Sequence, residues 1–289
     1  MGNCEEPRLL KTLIALLKEH GAGSVAFVCS GSRESGLGHL YRVSFIASDL
    51  RERGIMTFFE GGIGKAAMIV IDLPNNAGIE RVFSLLSRSQ IKVLFDNSGD
   101  FEGIVDVLVY PDFLPLQRVK AKARYILSGW DYVYPPKAIR FLKGLPPFGN
   151  DILITFGGAD PGGYTKKAVE ILKRKAGLFN VNFHVVFGPL NSDYELFKGV
   201  SLPKNLHLYA SQRDLSPLYK TSSIVVSSGG LSFAYGVFLE RIVIGVPQNE
   251  NEARRINYYS SLYNFVKFAS SPGKAIEEVE SALESGRFG

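Results

Sequence analysis

The stretch DILITFGGADPGG, Asp151 to Gly163, joins an apolar run to a loop with four glycines and, from Tyr164, an amphipathic segment. The spacing predicts a strand over Ile152–Phe156, a loop over Gly157–Gly163 and a helix over Tyr164–Lys175. The apolar run is continuous rather than alternating, which fits a parallel strand covered on both faces. Just upstream, Tyr132–Asn150 carries Pro135, Pro136, Pro146 and Pro147 with Gly144 and Gly149, the composition of a connection between domains. The strand–loop–helix theme recurs on both sides of it. Before it, strands are expected at Ser24–Cys29, Met56–Phe59, Met68–Ile71, Lys92–Phe95 and Val105–Val109, with helices at Arg8–His20, Leu40–Arg53 and Ile79–Ser87. After it, strands follow at Asn182–Phe187, Leu206–Tyr209, Ile224–Ser227 and Arg241–Val246. Helices intervene at Leu215–Lys220, Leu231–Leu239 and Glu252–Tyr263, and a last one, Lys274–Ser285, is a candidate to cross back to the first domain. Such alternation gives an α/β fold with parallel sheets. Two halves follow, 1–140 and 150–289, with a ligand expected in the cleft between them at the carboxyl ends of the strands. The length of 289 residues suits two domains of about 140 each.

Composition narrows the function. Apolar residues make up 46% and charged residues 21% of the chain, which is enough apolar content for a core in each half. The net charge of +5 is scattered among acidic neighbours, as in residues 50–53 and 252–255, so no basic stripe for nucleic acid forms. Cys4 and Cys29 make neither a disulfide framework nor a CxxC pair. His20, His39, His184 and His207 show no HExxH spacing. No metal and no cofactor are expected. The first residues, Met1 to Pro7, are acidic, and Leu9, Leu10, Leu13, Ile14, Leu16 and Leu17 recur at helical spacing, unlike a signal peptide. No apolar run approaches the roughly 20 residues that span a bilayer. A cytoplasmic protein without membrane insertion is the expectation; nothing in the sequence speaks to its oligomeric state.

Four loops could carry chemistry. Residues 30–39, SGSRESGLGH, follow the first strand and open a helix, so that the glycines, Gly36 and Gly38 among them, admit a ligand to the backbone and the helix start favours negative charge. His39 lies in the first turn of that helix, whose dipole favours a neutral imidazole, a candidate general base. The alternative is a capping loop with a surface histidine. In the second loop, Gly157, Gly158 and Asp160 either line a ligand or form a turn that starts the helix. In the third, Ser228, Gly229, Gly230 and Ser232 make a compact nest for a diphosphate, or let a helix pack closely on a strand. In the fourth, Gln248 and Asn249 offer hydrogen bonds to sugar hydroxyls and Glu250 to a ribose; equally, the loop is a solvated turn with a cap at Asn251.

With these loops in place the chain resembles the UDP-sugar hydrolases of the pseudaminic-acid pathway and the related spore-coat polysaccharide glycosyltransferase-like proteins. These share the GT-B fold of the family 28 glycosyltransferases. GLGH with Arg42 is similar to the family's G-x-GH-x-x-R opening. IVIDLP (Ile69–Pro74) and VLFDN (Val93–Asn97) are similar to its acidic strand ends. DILITFGGADP, HVVFGP (His184–Pro189) and VVSSGGLS (Val225–Ser232) are similar to its later strand–loop units. The resemblance implies two Rossmann-like domains facing each other across a cleft, and a nucleotide-sugar hydrolase that cleaves the anomeric C–O bond with inversion and without metal, in surface-polysaccharide or nonulosonic-acid biosynthesis. It implies His39 as the base activating water, with Gly36, Gly38, Arg42 and Asp72 on the substrate around it. The loops at Gly188, Gly229 and Gly230 would hold the uridine diphosphate. The chain departs from the family at two positions. Tyr235 stands where the family has a ribose-binding glutamate, so Tyr235 or Glu250 would take that contact, and Pro74 replaces an aromatic residue.

Two other readings stand beside hydrolysis. A glycosyltransferase would use the same groups, His39 deprotonating an acceptor hydroxyl, and a membrane-associated acceptor would need an apolar patch such as the Leu-rich face of Arg8–His20. A non-catalytic nucleotide-sugar binding protein would keep the fold without the chemistry.

Overall fold

The continuous apolar runs become interior strands because both of their faces are covered. In the computed structural model, which describes residues 6–31, 37–59, 62–96 and 98–285, all five residues of Met68–Asp72 and all six of Ser222–Ser227 are buried. Residues 6–31 and 39–137 form one compact unit, and residues 138–285, with 37–38, a second.

The first unit holds α1 (Arg8–Glu19), β1 (Ser24–Cys29), α2 (Gly38–Arg51), β2 (Met56–Phe59), β3 (Met68–Asp72), α3 (Ile79–Ser84), β4 (Ile91–Phe95), β5 (Ile104–Val109), β6 (Lys122–Leu127) and α4 (Trp130–Val133). Its six strands lie in the order β2-β1-β3-β4-β5-β6, every pair parallel. The order reverses direction between β1 and β3, so the carboxyl ends of these two strands form the crevice where open α/β sheets take ligands. Cys29 at the end of β1 pairs in register with Asp72 at the end of β3. Sequence reading misses β6 because Lys122 and Arg124 alternate with less exposed residues along an edge strand, a pattern unlike a continuous apolar run. Within Tyr132–Asn150, read from sequence as a connection, the chain forms the end of α4 and the short α5 (Lys137–Arg140) at the junction of the units.

The second unit holds β7 (Asp151–Thr155), α6 (Tyr164–Lys175), β8 (Phe183–Phe187), β9 (Leu206–Ala210), α7 (Ser216–Thr221), β10 (Ser222–Ser227), α8 (Leu231–Phe238), β11 (Ile242–Gly245), α9 (Glu250–Leu262), β12 (Val266–Phe268) and α10 (Pro272–Glu284). Its parallel sheet runs β12-β11-β10-β7-β8-β9. Here the reversal falls between β7 and β10, where Thr155 pairs with Ser227. The loops after these two strands are the glycine-rich ones. The three-residue β12 was too short to read from sequence. The last helix, α10, buries Ala275, Ile276, Val279 and Ala282 in the core of this same unit, against the residues of α6, in place of the return to the first domain considered from sequence.

Helix α1 docks by its leucines. Leu9, Leu10, Leu13, Leu16 and Leu17 are all buried. The first turn of an α-helix has free N–H groups, and here the Leu9 N–H donates to Asp131 Oδ1 of α4 at 2.7 Å. At the other end Glu19 pairs with Arg124 of β6. The five leucines are therefore interior surface, and the patch considered on this helix for a membrane-associated acceptor is not presented by them. Among the described residues no helix is long and apolar enough to cross a membrane. Leu13→Ala should lower stability by about 2–5 kcal/mol, read by chemical denaturation; a loss well under ~1 kcal/mol would mean the helix is only loosely docked.

Candidate active site

The first unit concentrates its charge at the end of β3. Asp72 is fully buried, and its carboxylate is held from one helix, because His39 and Arg42 are three residues apart on α2 and share a face. Arg42 Nε donates to Asp72 Oδ2 at 2.7 Å and Arg42 Nη2 to Oδ1 at 2.7 Å, a bidentate pair. Arg42 Nη1 donates to the Tyr132 carbonyl at 3.0 Å. The guanidinium lies over two rings, 4.6 Å from the centroid of Phe95 and 4.3 Å from that of Tyr132. His39 Nδ1 lies 2.6 Å from Asp72 Oδ1.

Burial alone raises the Asp72 carboxyl, but the charge of Arg42, then that of His39, and the hydrogen bonds from both hold it below the ordinary carboxylate range. The Arg42 guanidinium is displaced upward despite its burial, by Asp72 and Tyr132. An ionised carboxylate only accepts hydrogen bonds. His39 Nδ1 therefore carries the proton of the His39–Asp72 bond, and in the neutral ring Nε2 is the basic nitrogen. The His39 side chain keeps 14% of its surface exposed, against none for Asp72.

Two expectations change here. Arg42 and Asp72, assigned to substrate from the resemblance, are buried beside His39 and committed to each other. Gly38 starts α2, and Gly36 lies outside the described residues. Sequence reasoning missed Phe95 and Tyr132. Phe95 immediately precedes the acidic strand end quoted above, whereas Tyr132 falls in a segment read as a connection and carries no signal of its own.

In the second unit most of the candidate residues serve the backbone. Asp160, buried and at φ +47°, accepts from Tyr164 N (2.9 Å) and Thr165 N (2.7 Å), and so caps α6. Burial pushes its carboxyl up, against those two hydrogen bonds. Gly157 adopts φ +84° in the loop before it, and a side chain at Gly188 would overlap the carbonyl oxygens of Gly157 and Gly158. Gly188 is thus a crossing point between the loops after β7 and β8, tied by Leu190 N to Gly158 O at 2.9 Å.

The fourth loop is likewise turned inward. Gln248 Nε2 donates to Phe156 O (3.0 Å) and its Oε1 accepts from Gly162 N (2.9 Å), so its amide joins two loops. Asn249, not Asn251, is the cap of α9, accepting from Glu252 N at 3.0 Å. Glu250 is exposed and paired with Arg254 at 2.6 Å one turn on. Tyr235 is buried on α8, its ring 6.4 Å from that of Tyr219 in an edge contact.

Glu252 was missed. Its carboxylate accepts from Gln248 N at 2.8 Å and also bonds the Gly229 backbone and the Ser228 hydroxyl. Burial raises its pKa, against those bonds and the charge of Arg255. A side chain on Gly229 would come within 2.7 Å of Glu252, so that glycine is required for close packing of α9 on the loop. The signal was present as Asn249-x-x-Glu252, a capping-box spacing. Part of the serine–glycine nest thus serves an internal carboxylate. What stays open is Gly230, where a methyl group would meet nothing within 4 Å. It leads into α8 without a side-chain cap, so Ser232 lies in a first turn whose N–H groups have no such partner. Among the described residues no group of three or more His, Cys, Asp or Glu is placed to hold a metal ion.

No family model matches the chain. In sequence it is similar to an uncharacterized protein of Methanocaldococcus jannaschii, 27% identical over 280 residues that cover 78% of this chain and 56% of that protein. The chain thus spans about half the length of the curated relative it matches. Among solved structures it is similar to MurG of Acinetobacter baumannii (TM-score 0.55, 12% identity, 92% of each chain). It is also similar to the glycosyltransferase SnogD of Streptomyces nogalater (0.52, 14%, 91% of each). A third is the spinosyn rhamnosyltransferase SpnG complexed with thymidine diphosphate (0.53, 12%, 92% of this chain and 93% of that one). At these identities the likeness shows the fold, two Rossmann-like domains of the GT-B type.

Two outcomes follow from the geometry. Asp72 is held below its unfolded value of about 3.9. Its contribution to stability is therefore fully present above that pH and lost as pH falls through the lower folded value. The stability gap between the wild type and Asp72→Asn, measured by urea denaturation, should shrink as the pH is lowered below about 4; a gap that widens on acidification would contradict the ion pair. Gly188→Ala should cost about 1–3 kcal/mol or more by overpacking, whereas Gly230→Ala should leave the melting temperature within a degree or two.

Proposed function

We propose that the protein hydrolyses a nucleotide-sugar, a UDP-sugar first among candidates, at the anomeric C–O bond with His39 as general base. The observation that carries this reading is the His39–Asp72 contact; with Nδ1–H donating to the ionised carboxylate, Nε2 is left to accept a proton. Water attacks the anomeric carbon as Nε2 takes its proton. The C–O bond to the diphosphate breaks with its electron pair on the departing oxygen, and a single displacement inverts the anomeric centre. Asp72 holds the ring in one tautomer and stabilises the imidazolium that forms, a division of labour known from histidine–carboxylate pairs in hydrolases.

Transfer to an acceptor hydroxyl would use the same atoms, with the acceptor oxygen in place of water. The fold likeness to SnogD and SpnG favours it as the second reading. Purified protein given UDP-N-acetyl-amino-sugars without an acceptor should release UDP. Release only after a sugar or lipid acceptor is added would replace hydrolysis with transfer. His39→Ala should slow release by about 10²–10⁴-fold while retaining the thermal shift given by UDP. A nucleotide present at 100 times its dissociation constant stabilises by about 2.7 kcal/mol. Release by His39→Ala at the wild-type rate would remove His39 from the reaction.

A further inference from the structure

Asp72 orients His39, yet nothing in the carboxylate itself fixes which of its rotations about the side chain is populated or keeps it ionised when no water reaches it. Arg42 supplies both. Its fork engages both carboxylate oxygens, so the planes of the guanidinium and carboxylate are locked together. The fork is in turn fixed from three further directions: the Tyr132 carbonyl takes Nη1 at 3.0 Å, and the rings of Phe95 and Tyr132 lie 4.6 and 4.3 Å away. The segment that supplies Tyr132 is itself anchored, since the neighbouring Asp131 accepts the Leu9 N–H of α1. A chain of contacts thus runs from the docked amino-terminal helix through Tyr132, Arg42 and Asp72 to the imidazole.

From this geometry we infer that Arg42 is a positioning residue for His39: clamped against Phe95 and Tyr132, it fixes the Asp72 carboxylate so that the imidazole is held as the Nδ1–H tautomer with Nε2 unprotonated. The inference deepens the reading of His39 as base and rests on it for its catalytic meaning, but the tautomer can be read without any substrate. Lysine at position 42 keeps the charge and loses the planar fork and the stacking surface. Phe95→Leu and Tyr132→Leu keep the fork and each remove one aromatic face.

The test is the ring ¹⁵N spectrum of His39 in labelled protein at about pH 8, above the usual histidine range. The wild type should show a protonated Nδ1 and a bare Nε2. Arg42→Lys should show both tautomers, with Phe95→Leu and Tyr132→Leu displaced in the same direction by less. With a turned-over nucleotide-sugar, Arg42→Lys should lose roughly tenfold or more in kcat with little change in KM, as misorientation of a catalytic group predicts. A wild type with the proton on Nε2 overturns the inference. So does Arg42→Lys with an unchanged single tautomer, since Arg42 would then serve stability alone. Should Arg42→Lys fail to fold, the two leucine variants decide: unchanged tautomers in both overturn the inference, and mixed tautomers support it. If no nucleotide-sugar is turned over while Arg42→Lys still scrambles the tautomer, the hydrolase reading fails and the positioning role stands.

Discussion

Every strand pair in both sheets is parallel, and a parallel pair cannot be joined by a hairpin. Each connection must leave a strand at its carboxyl end, cross a face of the sheet and return to the amino end of the next. All the loops that follow strands are thereby gathered on one edge of each sheet, whatever their own composition. The chain reverses its direction of progress once in each sheet, next to β1 in the first and next to β7 in the second, and the neighbouring carboxyl ends separate there. Asp72 and the helix carrying His39 and Arg42 stand at the first reversal. The loops containing Gly157 and Gly229 stand at the second.

At the first reversal the chain has accepted a costly arrangement. A buried carboxylate without a partner is strongly disfavoured, and removing one partner of a buried ion pair typically costs about 3–5 kcal/mol. Asp72 is tolerated because Arg42 meets both of its oxygens and because aromatic faces cover the guanidinium. An apolar residue at position 72 would have continued the pattern of Ile69, Val70 and Ile71 at lower cost. His39, bonded to the same carboxylate, keeps part of its side chain open to solvent.

The second unit uses its glycines differently from the way their composition suggested. Gly188 and Gly229 are required by close backbone and side-chain crossings, and Asp160, Gln248 and Asn249 spend their polar groups on capping and tying loops. Each of these roles has an alternative that was visible in the sequence: a turn at Asp160, close helix–strand packing at the serine–glycine loop, a cap in the fourth loop. Glu250 and Glu252 show why the choice could not be made in advance. Two glutamates two residues apart on α9 differ only in the face of the helix they occupy. One pairs with Arg254 in solvent, and the other is half-buried against Gly229.

What the sequence by itself determined is what depends on local order: the α/β class, ten of the twelve strands among the described residues to within a residue or two, the long helices, and the placement of His39 in a first helical turn after β1. These follow from periodicity, from glycine and proline as stops, and from the short range of helix starts. The two missing strands were an edge strand with alternating charge and a run of three residues. Only the tertiary structure decided which of the candidate groups could act. Asp72 becomes the partner of His39, 33 residues away in the chain, because β1 and β3 are neighbours, and Tyr132 closes over Arg42 from 90 residues away. A hydrogen bond requires contact at about 3 Å, and no one-dimensional pattern records which distant carboxylate or ring will arrive at that distance.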